Sequence, residues 1–301
     1  MEGKKIRIGT RGSKLALWQA EFVKRQLAEI DVEAELQIIK TQGDKIQHLT
    51  FDKLEGKGFF TKEIEDALLR GDVDMAVHSM KDLPTNSPEG LVITAVSYRE
   101  DPADFLLIKK ESTEEGKVLK LKEEAVVGTS SARRKAQMLD FRPDIELKDI
   151  RGNVPTRINK LREGQFDAIV LAGAGVKRLE LDLSDLEVIT FNPREFIPAP
   201  AQGVLAYQTC SDDKTTRRIL KHIHHSDVSA ATNVERKVLN MLDGGCQLPL
   251  GAYCERDQMG YYHLWVARAE SWNAPVKRVR LSSSTSAGLA EQALERLTVD
   301  G

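Results

Sequence analysis

No stretch of this sequence approaches the roughly 20 consecutive apolar residues that a bilayer-spanning helix requires, so a membrane-embedded protein is not expected. The opening run Met1-Glu2-Gly3-Lys4-Lys5-Ile6-Arg7 lacks the apolar core of a secretory signal, which points to a cytoplasmic chain. Cysteine is scarce. Its three residues (210, 246 and 254) show no metal-ligand spacing and are expected as thiols in a reducing compartment. Net charge is scarce too, −2 overall, so no whole-molecule field draws the chain to nucleic acid or to a lipid surface. The Gly-x-x-x-x-Gly-Lys-Ser/Thr spacing of a phosphate loop is absent, as are internal low-complexity segments. What remains is an ordinary globular composition, 41% hydrophobic and 30% charged, over 301 residues, enough for two or three domains.

Charge is uneven along the chain. Residues 130–160 hold eight Lys and Arg (133, 134, 135, 142, 148, 151, 157, 160) against four Asp and Glu (140, 144, 146, 149), a local excess of +4. An anion belongs in that stretch.

Apolar spacing sets the organisation. A short strand at 6–9 ends in Thr10-Arg11-Gly12-Ser13, and the helix behind it carries a stripe at Ala16, Ala20, Val23, Leu27 and Ile30. Alternation at Ala34, Leu36 and Ile38, a helix at 61–69 and a strand at 73–77 complete a βαβαβ order that predicts a parallel sheet. Its working edge would lie at the strand C-termini. The pattern restarts after Asp101-Pro102, with strands at 104–108, 125–127, 145–148 and 167–171 and helices near 131–140, 154–162 and 174–180. From about 212, two helices (212–223 and 229–242), three strands (248–254, 263–269, 276–281) and a helix at 286–298 read as an α+β region.

Three strand-to-helix turns carry arginine. Gly9-Thr10-Arg11-Gly12-Ser13 can receive an anion at its helix start or be a plain tight turn. Gly128-Thr129-Ser130-Ser131-Ala132-Arg133-Arg134 is a stronger signal, because two cations in a first turn oppose the helix dipole and call for an anion. Ile150-Arg151-Gly152-Asn153-Val154-Pro155-Thr156-Arg157 repeats the arrangement, and Arg178 follows on the next helix. The planar guanidinium fork suits carboxylates; any one of these arginines could equally be a surface ion pair. Lys81-Asp82 stands just after a strand, with Leu83-Pro84 fixing the turn, a position for acid–base work or for a simple surface pair. Cys246, in Gly244-Gly245-Cys246-Gln247-Leu248-Pro249, is open to three readings: a functional thiol beside glycines that admit a ligand, a small buried residue, or a partner for Cys254. No histidine stands near it in sequence to make a Cys–His pair. His222, His224 and His225 read as a solvated helix end, without a carboxylate to complete a metal site.

Seven segments, in order, resemble the hydroxymethylbilane synthase (porphobilinogen deaminase) family. They are Ile8-Gly9-Thr10-Arg11-Gly12-Ser13 with Leu15-Ala16-Leu17-Trp18-Gln19, Lys57-Gly58-Phe59-Phe60 with Lys62-Glu63, and His78-Ser79-Met80-Lys81-Asp82-Leu83-Pro84. Residues 128–134, Arg151-Gly152-Asn153-Val154 with Arg157, Gly175-Val176-Lys177-Arg178-Leu179 and residues 244–249 follow. The resemblance implies two periplasmic-binding-protein-like α/β domains around a cleft plus a smaller C-terminal α+β domain. Their implied bounds are 1–100 with 196–218, 101–195, and 219–301.

It further implies a transferase that joins four porphobilinogen units head to tail, losing ammonia each time, into the linear tetrapyrrole hydroxymethylbilane of haem biosynthesis. A covalent dipyrromethane cofactor would be joined by thioether to Cys246. Asp82 would stabilise pyrrole cations and assist proton transfer. Lys81, Asp82, Ser131, Arg133, Arg134 and Arg157 would bind the cofactor, and Arg11, Ser13, Arg151, Arg157 and Arg178 the substrate and growing chain. Lys57 and Phe60 would belong to a flap. No metal, nucleotide or flavin is expected, and a monomer is. Departures from the family pattern are Ala201-Gln202-Gly203-Val204 and, where a glutamate is usual, Gln208 after Ala206-Tyr207; Gly173 enriches one helix start in glycine. The rival from another class is a non-catalytic two-lobed binding protein for organic anions. The missing secretory signal and the cysteine loop speak against it. A cysteine-nucleophile acyltransferase ranks last.

Overall fold

The structure is a computed structural model that describes residues 5–41, 61–242 and 248–299; Lys57, Phe60 and Cys246 lie outside the described residues. The chain divides into two compact units, residues 1–100 with 204–229 and residues 101–203 with 230–301.

The first unit is built on a five-stranded sheet. β1 (Ile6–Thr10) runs parallel to β2 (Ala34–Ile38) and to β3 (Met75–Ser79). Helix α1 (Lys14–Ala28) joins the first two, and α2 (Lys62–Leu69) precedes the third. The stripe read from sequence is the buried face of α1: Ala20, Val23 and Leu27 have no exposed surface. Burying each of the two larger side chains contributes roughly 1.5–3 kcal/mol. Instead of being parallel throughout, the sheet is mixed. Two strands that the spacing does not predict complete it, β4 (Leu91–Val96) at an edge and β10 (Leu205–Cys210) within. β10 pairs antiparallel with both β3 and β4. Its residues 205–209 are all buried, the polar Gln208 and Thr209 among them, so no alternation of apolar and polar residues marks it in sequence.

The second unit contains a sheet of matching design. β6 (Val126–Gly128) lies parallel to β7 (Glu146–Lys148) and β8 (Ala168–Ala172). β5 (Asp104–Lys109) is inserted antiparallel between β8 and an edge strand, β9 (Leu186–Thr190), which periodicity also missed. Helices α3 (Ala132–Phe141), α4 (Val154–Arg162) and α5 (Gly173–Arg178) each follow a parallel strand. In each sheet the antiparallel insert is the strand formed just after the chain has changed units, β5 after residue 100 and β10 after residue 203. Asp104 therefore begins β5 at the carboxyl end of β8, opposite Ala172.

The rest of the second unit is a three-stranded antiparallel sheet, β11 (Leu250–Arg256), β12 (Tyr262–Arg268) and β13 (Lys277–Ser283). One face packs on Val234 and Val238 of α7 (Ser226–Met241) and on Leu289, Ala293 and Leu297 of α8 (Leu289–Val299); α6 (Lys214–Leu220) belongs to the first unit. The other face, with Tyr253, Trp265 and Ala267, packs on Ile197. Gly251 allows that approach: a Cβ there would lie 2.4 Å from the Ile197 carbonyl oxygen. The Ala252 amide then donates to Pro198 O at 3.0 Å, and buried Glu235 accepts from the amides of Ala201 (2.6 Å) and Cys254 (2.7 Å). The segment around 197–201 thus locks this sheet to its neighbour.

Candidate active site

In the first unit the candidate residues stand where two neighbouring parallel strands end. Arg11 and Ser13 follow β1; Lys81 and Asp82 follow β3. The Ser13 hydroxyl accepts from the Ala16 amide at 3.3 Å, so it caps α1. From α1, Gln19 Nε2 donates to Ser79 Oγ at 2.9 Å, tying the helix to the end of β3. The chain then makes a single 3₁₀ turn, Met80–Asp82. Met80 and Leu83 are buried pegs on either side, and the Met80 amide donates to Val204 O at 2.9 Å. Between the pegs Lys81 is half-buried and Asp82 exposed. Asp82 makes no hydrogen bond among the described residues, which leaves both its oxygens available.

Behind this turn lies a buried polar chain. Gln208 Nε2 donates to Glu65 Oε1 at 2.9 Å, and Gln208 Oε1 lies 3.0 Å from His78 Nε2. Because the amide nitrogen faces a carboxylate, the amide oxygen must be the acceptor toward the histidine, so His78 carries its proton on Nε2. The glutamine that departs from the family pattern is thus a full member of the network; a carboxylate there would stand against Glu65. Burial pushes the His78 pKa down to about 4 from 6.5, the Gln208 bond opposing only in part. Between those values the unfolded chain takes up a proton that the folded one refuses. Stability is therefore complete above pH 6.5 and falls as pH drops toward 4, by up to about 3 kcal/mol. In urea titrations from pH 7 to 4.5, His78→Asn should flatten that decline; identical slopes for the two chains would show that His78 is not held neutral.

In the second unit the arginines gather at the carboxyl ends of β6, β7 and β8, three adjacent parallel strands. Ser131 caps α3, accepting from the Arg134 amide at 3.5 Å, and Asn153 caps α4, accepting from the Thr156 amide at 3.0 Å. Between β7 and α4, Gly152 adopts φ +115°, which a residue with a side chain rarely does. That turn lets Arg157 Nε reach Gly152 O at 2.8 Å, while Lys160 Nζ donates to Arg151 O at 3.1 Å. Arg178, buried on α5, donates through Nη2 to Gly203 O at 2.8 Å. At Gly173 a Cβ would lie 2.6 Å from the Phe105 ring, so its absence lets α5 pack closely on β5.

The anion that the first turn of α3 calls for is supplied, in part, by the chain. Asp104, with no exposed surface, accepts from Arg133 Nη1 (2.7 Å) on Oδ2 and from Arg134 Nη2 (2.7 Å) and Nε (3.2 Å) on Oδ1. Gln202 Nε2 adds a bond to Oδ1 at 3.0 Å. Burial alone would raise the Asp104 pKa, but the two guanidiniums outweigh it and hold the carboxyl far below the ordinary range. Sequence reading missed Asp104 and Gln202. The only local hint was a carboxylate opening an otherwise apolar strand.

The histidines at 222–225 are not merely a solvated helix end. His224 Nδ1 accepts from the Val96 amide at 3.2 Å, and His225 packs edge-on to Tyr98. No cluster of metal-ligating side chains occurs among the described residues.

The described residues define an α/β protein whose cations collect at the carboxyl ends of its parallel strands. A family model described as porphobilinogen deaminase, dipyromethane cofactor binding domain, matches residues 6–218. A porphobilinogen deaminase of Chloroherpeton thalassium is 44% identical over 293 residues, covering 96% of this chain and 91% of the relative. One from a Nitratiruptor species is 48% identical over 247 residues, covering 82% and 77%. Among solved structures, a probable amino-acid ABC transporter extracellular-binding protein, ytmK of Bacillus subtilis, is similar at 13% identity and TM-score 0.46 over 80% of this chain and 98% of that one. The chain belongs to the porphobilinogen deaminase family, transferases that polymerise porphobilinogen into hydroxymethylbilane in tetrapyrrole biosynthesis and carry a dipyrromethane cofactor.

Proposed function

We propose that this chain carries out its family's reaction with Asp82 as the working carboxylate. In this reading Lys81, Ser131, Arg133, Arg134 and Arg157 hold the carboxylates of a dipyrromethane joined to Cys246. Arg11, Ser13, Arg151, Arg157 and Arg178 hold porphobilinogen and the lengthening chain, and Lys57 and Phe60 belong to a covering flap. The observation that supports it is the gathering of Arg133, Arg134, Arg151, Arg157 and Arg178 at one sheet edge, with Lys81 and Asp82 at the corresponding edge of the other sheet.

The chemistry of the donors fits the ligand. Every pyrrole of this series bears an acetate and a propionate, and guanidinium forks bind carboxylates with charge-assisted bonds worth roughly 1.5–3 kcal/mol each. When bound, the cofactor supplies the ring carbon that receives the first unit and the tether that retains the product. Arg133 Nε and Nη2 make no hydrogen bond among the described residues and so remain available to a carboxylate. Asp82 stabilises the positive charge left on a substrate pyrrole as ammonia departs, and accepts on its carboxylate the proton released when the rings couple.

The test is direct. Purified chain given porphobilinogen should release one ammonia per unit consumed and form a linear tetrapyrrole. Reversible porphobilinogen binding without ammonia release would favour the organic-anion binding protein instead. A monomer in the cytoplasm is the finer reading; the free thiol of Cys210 is what a reducing compartment would leave. No helix among the described residues is long and apolar enough to cross a membrane. Light scattering is expected to give the mass of one chain.

A further inference from the structure

Two arginines and one aspartate share a buried cluster, and their charges do not cancel. Arg133 and Arg134 are 5% and 7% exposed and Asp104 not at all, which leaves the hydrogen-bonded group at +1 when all three are ionised. An uncompensated charge in such a place is strongly unfavourable.

The donors and acceptors can be counted. A guanidinium has five N–H groups and a carboxylate about four acceptor positions. Arg133 directs Nη1 to Asp104 Oδ2 at 2.7 Å and to Ile197 O at 3.0 Å. Arg134 directs Nε and Nη2 to Asp104 Oδ1, and Nη1 to Val170 O at 3.1 Å. With Gln202 also on Oδ1, Asp104 receives four bonds in all and has little capacity left. Unused donors remain chiefly on Arg133, at Nε and Nη2. Gln137 holds the same peptide that Arg133 touches: its Oε1 accepts from the Ile197 amide at 2.7 Å and its Nε2 donates to Ile197 O at 2.9 Å. The Arg133 guanidinium is thereby fixed on its Nη1 side.

We infer that the Arg133–Arg134 pair accepts one ligand carboxylate and not two, because Asp104 permanently fills the second place; Asp104 is a positioning residue that aims Arg133 at the ligand. This rests on the reading that cofactor carboxylates lie on these arginines. One external carboxylate brings the cluster to neutrality and occupies the unused Arg133 donors.

Three variants of the full chain, compared by intact mass after denaturation and by thermal melting with and without inorganic phosphate, test it. Arg133→Met leaves a neutral Arg134–Asp104 pair. It should fold, show no phosphate dependence, and lose cofactor occupancy by roughly tenfold or more, as for a charge-assisted bond. Asp104→Asn raises the internal charge, so its melting temperature should fall in phosphate-free buffer and recover as millimolar phosphate takes the vacated place. Asp104→Asn with Arg134→Met restores +1, which the cofactor carboxylate on Arg133 neutralises as in the parent chain, so its melting should ignore phosphate. If Asp104→Asn alone does not fold while the double variant does, charge balance is likewise supported. A phosphate-independent Asp104→Asn, or a double variant that also fails to fold, overturns the role of Asp104. Full cofactor occupancy in Arg133→Met instead removes the underlying assignment, and the inference with it.

Discussion

Changing Asp82 to Asn is expected to lower turnover of porphobilinogen by about 100- to 10,000-fold, the range associated with losing a positioned acid–base group. The amide keeps the volume of the side chain and removes its charge and its proton acceptor. Little else should change. Asp82 is exposed on a 3₁₀ turn held by the buried pegs Met80 and Leu83, and it makes no hydrogen bond among the described residues. Exposed substitutions of that kind usually move stability by less than about 0.5 kcal/mol. Steady-state rates and a melting curve on the same preparation separate the two effects. Near-normal turnover would deny Asp82 its chemical role, and a large drop in melting temperature would assign it a structural one.

The second large effect is expected from Arg178→Met. The side chain is buried at the end of α5 and donates to Gly203 O at 2.8 Å. If its guanidinium also grips a substrate carboxylate, its removal forfeits roughly 1.5–3 kcal/mol of binding, a rise in KM of about 10- to 150-fold. The loss should fall on KM with kcat little altered, because the carboxylate is held equally before and during the reaction. Gly203 O also loses a donor, which costs about 1–3 kcal/mol of stability. Arg178→Lys discriminates between the two roles: it keeps the charge but not the fork, so KM should recover only in part. An unchanged KM in Arg178→Met, alongside lowered stability, would make Arg178 a purely structural residue.

Much of this layout is legible in the sequence. The stripe of α1 and the three arginine-bearing turns between strand and helix are local features, and local rules find them. The arginines were legible as a group for the same reason: each follows a strand end, and parallel topology collects strand ends at one edge. What escaped depends on pairing across long sequence distances. β10 returns to a sheet whose neighbouring strands end more than 100 residues earlier. Asp104 meets Arg133 and Arg134 only because β5 is inserted antiparallel beside β8. His78 and Gln208 face each other across adjacent strands, 130 residues apart. No period or turn signal encodes such pairs. The dipeptide Arg133-Arg134 called for a bound anion and gave no sign of the buried aspartate that both guanidiniums meet.

The claim at the centre is that guanidiniums at one sheet edge hold an acidic pyrrole chain tethered by a single thiol. Intact-mass analysis of the denatured chain, on material shown to turn over porphobilinogen, tests it most directly. The expected mass is that of the polypeptide plus a dipyrromethane, with the addition mapping to the peptide that contains Cys246. Active material with the bare polypeptide mass, or with the addition on Cys210 or Cys254, would contradict it.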